Sequence, residues 1–274
     1  MSPAGSSEGG GEHLTVVVTG ASGGIGEAMA RAWGRRGATV VVSARDEDGL
    51  ARAAREVEGA GGRAIVQRAD VTREEDRVRL IERARETGRL DVLVNNAGRG
   101  HYGSVARIEV AQLEALFALN VVAPLRLAQL ALDPLTRSGG AIVMMSSVVG
   151  VVTPPRMGAY SASKFALEAL SMALRAELGG TGVRVVVVRP GPVDTPFREH
   201  AVTTDGRAGV RPTRASVQTA DDVAEQVLAA VDRGREVLET TAFVRLASAA
   251  ARHAPGAMRW ISAYMASRSD VERR

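Results

Sequence analysis

Short apolar runs rich in valine and isoleucine recur along the chain, separated by longer segments rich in alanine, arginine and glutamate. Each run is continuous rather than alternating, which is typical of a parallel strand buried on both faces. Strands are predicted over residues 14–20, 38–44, 63–69, 90–98, 141–147 and 183–191. Helices are predicted over residues 25–36, 46–58, 73–86, 110–132, 160–178 and 221–231. This alternation predicts an α/β fold, a doubly wound parallel sheet with helices on both faces.

A single domain is expected, because no linker or internal repeat divides the alternating pattern. It is predicted to span residues 13–240, after a disordered segment at 1–12 that lacks the features of a secretory signal. Residues 196–219 are polar and contain glycines, which predicts a mobile loop beside a substrate site. A C-terminal helical extension is expected over 241–274.

The end of this extension carries an apolar face at helical spacing. The face consists of Met258, Ile261, Tyr264 and Met265. We favour its packing against the sheet edge or another subunit. Weak association with a membrane surface is the alternative, because Trp260 and two arginines lie beside the face.

The composition excludes several classes of protein. The absence of cysteine removes disulfides, thiolate metal sites and cysteine nucleophiles, and no metal site is expected. The net charge of +4 comes from arginines dispersed among many acidic residues, so nucleic-acid binding is not expected. No uninterrupted apolar run approaches the length of a membrane span, and we expect a cytoplasmic protein.

Arginine supplies almost every positive charge in the chain. Of the 35 lysines and arginines, only Lys164 is a lysine. An ammonium is a compact donor whose pKa responds to its surroundings, whereas a guanidinium stays charged. We therefore interpret Lys164 as a position where arginine cannot perform the required chemistry.

A glycine-rich turn follows the first predicted strand and leads directly into a helix. It contains Gly20, Ser22, Gly23, Gly24, Ile25 and Gly26. Glycines allow a tight turn and a close approach of the backbone to a pyrophosphate, which then lies at the positive end of the helix. In this strand–turn–helix context the pattern predicts a dinucleotide site rather than an ordinary turn.

The end of the second predicted strand bears on the choice of dinucleotide. It carries Ala44 where an NAD-binding protein commonly has an acid for the ribose 2′-hydroxyl. Arg45 follows, and its charge suits a 2′-phosphate, so NADP(H) is favoured. Alternatively, Arg45 lies on a solvated helix start and Asp46 binds the ribose, which leaves NAD(H) possible.

Further short motifs occur in the order, and at close to the spacings, of one known family. They are Asn95-Asn96-Ala97-Gly98, Asn120, Ser147, Tyr160 with Lys164 four residues later, and Pro190-Gly191 with Thr195. With the glycine-rich turn, they make residues 14–235 resemble the short-chain dehydrogenases/reductases. The resemblance implies a Rossmann-type fold and NAD(P)-dependent oxidoreduction of a small-molecule carbonyl or alcohol.

The resemblance also implies roles for individual residues. The implied catalytic residues are Asn120, Ser147, Tyr160 and Lys164. The implied cofactor contacts outside the glycine-rich turn are Arg45, Asp70, Val71, Asn96, Ala97, Gly98, Tyr160, Lys164, Pro190, Gly191, Val193 and Thr195. In the family the lysine binds the nicotinamide ribose, and the helical asparagine bends its helix and holds a water that connects the lysine to solvent.

Elementary chemistry agrees with these roles. Tyr160 and Lys164 lie one helical turn apart and share a face. A nearby ammonium stabilises a phenolate, so we expect Lys164 to lower the pKa of Tyr160. Ser147 is expected to orient a substrate carbonyl. The implied reaction is hydride transfer between nicotinamide and a carbonyl carbon, with Tyr160 as general acid/base.

Two other functions remain open on the same fold. The first is a nucleotide-sensing protein without catalysis, although such a protein usually loses the tyrosine or the lysine, and both are present. The second is epimerisation or dehydration, although the chain is short for a sugar-nucleotide epimerase and lacks an obvious added substrate domain.

The expected substrate walls are largely apolar. The predicted substrate contacts are Val149, Met157 and Phe197. They favour a hydrophobic ketone or secondary alcohol, while His101 and Tyr102 either contact the substrate or lie on a loop surface. By the resemblance, a homodimer or homotetramer is expected through the helices at 110–132 and 160–178.

Overall fold

The computed structural model describes residues 14–204, 217–254 and 256. Its centre is a seven-stranded sheet in which every neighbouring pair of strands is parallel. The strands of this sheet are β1 (Thr15–Thr19), β2 (Thr39–Ala44), β3 (Arg63–Arg68), β4 (Val92–Asn95), β6 (Ala141–Met145), β7 (Arg184–Arg189) and β9 (Val237–Glu239). A separate parallel pair is formed by β5 (His101–Tyr102) and β8 (Val202–Thr203).

The order of strands across the sheet is β3-β2-β1-β4-β6-β7-β9. The chain moves outward from β1 through β2 and β3, and then outward in the other direction from β4. The carboxyl ends of β1 and β4 therefore flank the point where the strand order reverses, which is where open α/β sheets bind ligands. The predicted doubly wound parallel sheet is confirmed.

Helices cover both faces of the sheet. They are α1 (Gly24–Gly34), α2 (Glu47–Gly59), α3 (Glu74–Arg85), α4 (Val110–Phe117), α5 (Ala123–Ser138), α6 (Gly158–Glu177), α7 (Ala220–Asp232) and α8 (Ala242–His253). In β1, Val16 and Val18 pack with α1, α2 and α7, whereas Val17 packs with α3, α5 and α6 on the opposite face. Burial on both faces explains why the strands read as continuous valine runs.

The helix predicted over 110–132 is longer than expected and is interrupted. A π-helical turn, Ala118–Val122, joins α4 to α5 and contains Asn120. Such turns insert one extra residue into a helix and often lie at functional sites. Helical periodicity alone could not predict it, because α4 and α5 each keep ordinary spacing.

Within the described part of the chain, one helical run, 110–138, is long and apolar enough to cross a membrane by length and composition. Leu127, Ala131 and Leu135 on this run are buried in the core beneath the sheet. These contacts are those of a core helix in an α/β domain.

The predicted loop at 196–219 begins with regular structure. A 3₁₀ turn at Pro196–Arg198 leads into β8, which pairs with β5. Residues 205–216 of this prediction lie outside the described residues. The predicted segment at 1–12 and the apolar face that begins at Met258 also lie outside them, while α8 falls within the predicted extension.

His101 and Tyr102 are buried, so their predicted alternative of a loop-surface position is wrong. Only 2% of His101 and 4% of Tyr102 is exposed, because β5 pairs with β8. The Nε2 atom of His101 lies 3.1 Å from Oγ1 of Thr204, and burial lowers the pKa of His101. This contact fastens the start of the 196–219 segment to the loop that follows β4.

We expect burial rather than strand propensity to dominate the stability of β2 and β3. Val42 and Val66 are direct partners in this ladder, yet Val42 is fully buried and Val66 is 49% exposed. Val42→Ala should lower the free energy of unfolding by about 2 kcal/mol. The same change at Val66 should cost less than about 1 kcal/mol. Urea denaturation measures both losses, and equal losses would contradict this account.

Candidate active site

The predicted site residues gather at the carboxyl edge of the sheet. The glycine-rich turn follows β1, the 95–98 motif spans the end of β4, Ser147 follows β6 and Pro190 follows β7. Because these strands are parallel, their following loops meet at one edge. Tyr160 and Lys164 reach the same edge from α6.

The glycine-rich turn needs glycine at three positions. Gly20 and Gly24 have φ angles of 65° and 57°, in the left-handed region. A Cβ atom on Gly26 would lie 2.1 Å from the Gly20 carbonyl oxygen. A Cβ atom on Gly23 would meet nothing within 4 Å, so Gly23 faces open space.

This turn presents the N-terminus of α1 to that space. The helix begins after Gly23 without a hydrogen bond from a capping side chain, so its first N–H groups and its positive dipole end are available to an anion. The Ser22 carbonyl accepts a hydrogen bond of 2.9 Å from Arg52, and Ile25 packs against the core. A backbone cradle of this kind fits a pyrophosphate.

The 95–98 motif is bonded directly to the glycine-rich turn. The Asn96 side-chain amide donates to the carbonyls of Thr19, at 3.0 Å, and Gly20, at 3.1 Å. The Thr19 hydroxyl accepts from the backbone N–H groups of Asn96 and Ala97 at 3.0 and 3.1 Å. Asn96 and Ala97 therefore support the turn from behind.

The loop after β7 forms the opposite side of the cradle. A Cβ atom on Gly24 would lie 3.1 Å from Cγ2 of Thr195, so the two loops are in contact. The Pro190 carbonyl accepts a 3.0 Å hydrogen bond from the N–H of Val148, which ties this loop to the segment that carries Ser147. The other predicted cofactor contacts in this loop are Gly191 and Val193.

Arg45 and Asp70 lie together at the ends of β2 and β3. Nη1 of Arg45 is 4.0 Å from Oδ2 of Asp70, and the Arg45 side chain is 63% exposed. Burial raises the pKa of Asp70, but two hydrogen bonds from Thr72 and the charge of Arg45 outweigh it, and the net pKa is lowered. Val71 is buried beside this pair.

Asn120 connects the loop after β4 to α6. Its Oδ1 accepts from the Arg99 N–H at 3.0 Å, and its Nδ2 donates to the Arg99 carbonyl at 3.0 Å and to Oγ of Ser163 at 3.1 Å. A Cβ atom on Gly98 would lie 3.2 Å from Asn120 Oδ1 and 3.7 Å from Lys164 Nζ. Asn120, Gly98 and Lys164 therefore form one packed group.

The side chain of Ser147 lies beside the hydroxyl of Tyr160 and lowers the pKa of that phenol. The Ser147 hydroxyl also accepts a 3.3 Å hydrogen bond from the N–H of Val149, which caps the short 3₁₀ turn Val148–Gly150. Burial raises the pKa of Tyr160 above its usual value, and the effect of Ser147 opposes this only in part.

Lys164 contacts the ring of Tyr160 and the end of β6. Its Nζ atom donates to the Met145 carbonyl at 2.7 Å and lies 5.8 Å from the centroid of the Tyr160 ring. Burial lowers the pKa of Lys164 to about 8. The expected lowering of the Tyr160 pKa is wrong for this arrangement, because desolvation of the phenol dominates.

The three predicted substrate residues differ in their exposure and in their relation to Tyr160. The rings of Phe197 and Tyr160 have centroids 5.9 Å apart, and Phe197 is 36% exposed. Val149 is buried behind Ser147, and Met157 immediately precedes α6. Phe197 therefore combines exposed apolar surface with a ring contact to Tyr160.

Three polar residues that bear on the site were not predicted. Ser163 bonds Asn120, and a buried ion pair joins Glu168 to Arg189. Glu168 follows Lys164 by four residues, so helical spacing was the available signal. No sequence pattern indicated that Arg189, on another element, meets it.

Taken together, fold and site define an α/β protein with a dinucleotide cradle beside a Ser–Tyr–Lys group. The family model for short chain dehydrogenases matches residues 14–206. Ketoacyl reductase HetN of Nostoc sp. is 37% identical over 219 residues, 79% of this chain and 75% of that protein. L-fucose dehydrogenase of Oryctolagus cuniculus is 40% identical over 200 residues, 72% and 69% of the two chains.

Solved structures agree with these matches. An alcohol dehydrogenase from the archaeon Thermococcus sibiricus, complexed with 5-hydroxy-NADP, has a TM-score of 0.73 and 30% identity, covering 82% of this chain and 94% of that chain. A short chain dehydrogenase/reductase from Burkholderia phymatum, in complex with NAD, has a TM-score of 0.77 and 28% identity, covering 86% and 93%. The chain belongs to the short-chain dehydrogenase/reductase family, and its chemistry is NAD(P)-dependent oxidoreduction.

Two glycine variants test the cradle. Gly26→Ala places a methyl group against the Gly20 carbonyl, so we expect it to cost about 2 kcal/mol of stability and to weaken NAD(P)H binding at least about 10-fold. Gly23→Ala, in extended backbone and open space, should retain wild-type stability. Thermal unfolding and fluorescence titration measure these effects; a stable Gly26→Ala with normal binding would refute the close contact.

Proposed function

We propose that the chain is an NADP(H)-preferring oxidoreductase that interconverts a hydrophobic ketone and its secondary alcohol, with Tyr160 as general acid/base. The observation that carries this proposal is the placement of the Ser147 side chain beside the Tyr160 hydroxyl, with Nζ of Lys164 5.8 Å from the centroid of the Tyr160 ring. It brings two hydroxyl groups together at the carboxyl edge of the sheet, where both can bind one substrate oxygen.

Each residue then has a distinct part in the reaction. When bound, the nicotinamide supplies the hydride to a carbonyl carbon or removes it from an alcohol carbon. Ser147 donates a hydrogen bond that orients the substrate oxygen. Tyr160, kept as a neutral phenol by its raised pKa, donates its proton to that oxygen during reduction. Lys164, with its pKa lowered to about 8, is largely charged at neutral pH and stabilises the resulting phenolate.

The residues around the cradle fit a dinucleotide. The glycine-rich turn and the N-terminus of α1 would hold the pyrophosphate, with Asn96 and Thr195 supporting the turn on either side. Lys164, packed against Gly98 and beside the ring of Tyr160, would bind the nicotinamide ribose.

Arg45 supports a preference for NADP(H). Its guanidinium is largely exposed at the end of β2, and Ala44 offers no carboxylate to a ribose 2′-hydroxyl. The two solved relatives hold an NADP analogue in one case and NAD in the other. The preference therefore rests on the residues of this chain.

A hydrophobic substrate is favoured by the exposed ring of Phe197 beside Tyr160. The named relatives are a ketoacyl reductase and an L-fucose dehydrogenase, so their substrates differ in polarity. Apolar surface next to the proposed proton donor selects against a polar sugar in this chain.

Assembly into a homodimer or homotetramer is supported by exposed apolar side chains on the two helical segments expected to form the subunit contact. These side chains are Val110, Val122, Phe165 and Met172. Large apolar groups gathered on neighbouring helices are typical of a subunit contact.

Tyr160→Phe tests the proton donor. It removes one hydroxyl and keeps the ring beside Lys164, so we expect kcat to fall at least about 100-fold while NADPH binding changes little. The assay follows the NADPH absorbance band across a panel of hydrophobic ketones, with NADPH fluorescence as the binding control. Retention of most of the activity would mean that another group supplies the proton.

Arg45→Ala tests the cofactor preference. Loss of the guanidinium should raise the KM for NADPH about 10-fold or more and leave the KM for NADH nearly unchanged. Arg137→Ala is the matched control, because Arg137 is equally exposed, at 64%, but lies in the last turn of α5. Equal changes for NADPH and NADH in Arg45→Ala would argue against a 2′-phosphate contact.

A further inference from the structure

Four residues of alternating charge follow one another from α6 to the ends of β7 and β9: Lys164, Glu168, Arg189 and Glu239. Nε and Nη2 of Arg189 donate to the two carboxylate oxygens of Glu168 at 3.0 and 2.9 Å. Nη1 of Arg189 donates to Oε1 of Glu239 at 3.0 Å. Arg189 and Glu239 end β7 and β9 and are register partners, so this row of charges joins α6 to both strands.

The central ion pair is almost completely buried. The side chains of Arg189 and Glu168 are 9% and 8% exposed. Burying two charges has a large desolvation cost, and apolar residues of similar volume often stabilise a protein as well or better. A contribution to stability therefore does not by itself explain this ion pair, and we consider its effect on the neighbouring Lys164.

Glu168 lies one helical turn after Lys164, on the same face of α6. Burial lowers the pKa of Lys164, and the charge of Glu168 opposes that lowering. The other groups that surround Lys164 are the Met145 carbonyl, Gly98 and the Tyr160 ring, and all are uncharged.

Glu168 also packs beneath the turn that carries Ser147. A Cβ atom on Gly150 would lie 3.2 Å from Cγ of Glu168 and 2.6 Å from Oγ of Ser146. A side chain at position 150 would therefore displace the turn or the carboxylate. Glu168 thus lies on the helix that carries Lys164 and packs against the turn that carries Ser147.

We propose that Glu168, held by Arg189, is a positioning residue that keeps the Lys164 ammonium charged and directed at the active site. Arg189 neutralises part of the charge of Glu168 and so reduces the effect of Glu168 on Lys164. Glu239 accepts a hydrogen bond from Nη1 of Arg189, the nitrogen that does not bond to Glu168. The consequence for catalysis rests on the proposed function, whereas the charge of Lys164 does not.

The single lysine makes a direct test possible. Isotope-labelled lysine labels Lys164 alone, so its Cε resonance reports protonation of that one ammonium by NMR in the full chain, without cofactor or substrate. Glu168→Gln removes the attractive charge and should lower the midpoint of the Lys164 titration by about one pH unit. Arg189→Gln leaves Glu168 less neutralised and should raise the midpoint by about half a unit.

Opposite signs distinguish an electrostatic role from a structural one. Both variants break the same ion pair, so mere loosening of α6 would move the midpoint in the same direction in each. Glu239→Gln also weakens the row of charges, but beyond Arg189, and should move the midpoint least. Equal signs, or no shift in either variant, would overturn the proposal.

One further variant, together with Arg189→Gln, covers a failure of Glu168→Gln to fold. Glu168→Asp keeps the charge and should keep the midpoint within about half a unit of wild type. An unchanged or lowered midpoint in Arg189→Gln is by itself sufficient to overturn the proposal.

The kinetic readout separates this proposal from the proposed function. Activity that requires charged Lys164 is lost as pH rises through its pKa, so the alkaline limb of the kcat profile should move down in Glu168→Gln and up in Arg189→Gln. Opposite NMR shifts in a protein that reduces no ketone would refute the proposed function and leave this inference standing. Normal ketone reduction without those NMR shifts would support the proposed function and overturn this inference.

Discussion

The contact between the end of β1 and the start of α1 is the constraint on which the rest of the site depends. Gly26 approaches the Gly20 carbonyl so closely that any side chain there would collide with it. The same carbonyl accepts a hydrogen bond from Asn96, which fixes the loop after β4 against the turn. That loop continues to Gly98, which packs against Asn120 and Lys164. The glycine-rich turn and the predicted catalytic residues are therefore linked by a continuous series of contacts.

Features encoded in consecutive residues could be predicted from the sequence. The first strand was predicted over 14–20 and spans Thr15–Thr19, because a strand buried on both faces requires an unbroken apolar run. The family resemblance implied a bend of the helix at Asn120, but its π-helical form could not be predicted from the residues, since it changes hydrogen bonding without changing composition. The β5–β8 pair could not be predicted either, because two-residue strands have no periodicity and their partners lie about a hundred positions apart.

The electrostatics of the site could also be predicted only in part, because helical spacing is local whereas burial depends on distant residues. The spacing of Tyr160 and Lys164 correctly indicated a shared helical face, but it did not indicate how deeply the two side chains are buried. Burial of the phenol raises its pKa, and burial of the ammonium lowers its own, so desolvation opposes the ionised form of both groups. The buried ion pair of Glu168 and Arg189 was only half accessible to the sequence, because Glu168 follows Lys164 by one helical turn whereas Arg189 lies on a distant strand.

The use of lysine at position 164 and of arginine at position 189 has a physical explanation. A compact ammonium fits at position 164, where it donates to one carbonyl at 2.7 Å beneath the ring of Tyr160. A guanidinium is a larger, planar group with a fixed set of donors, and its charge does not respond to the site. A guanidinium is instead found at position 189, where Arg189 binds both carboxylate oxygens of Glu168. The permanent cation maintains an anion in the interior, and that anion maintains the titratable cation beside the reacting atoms.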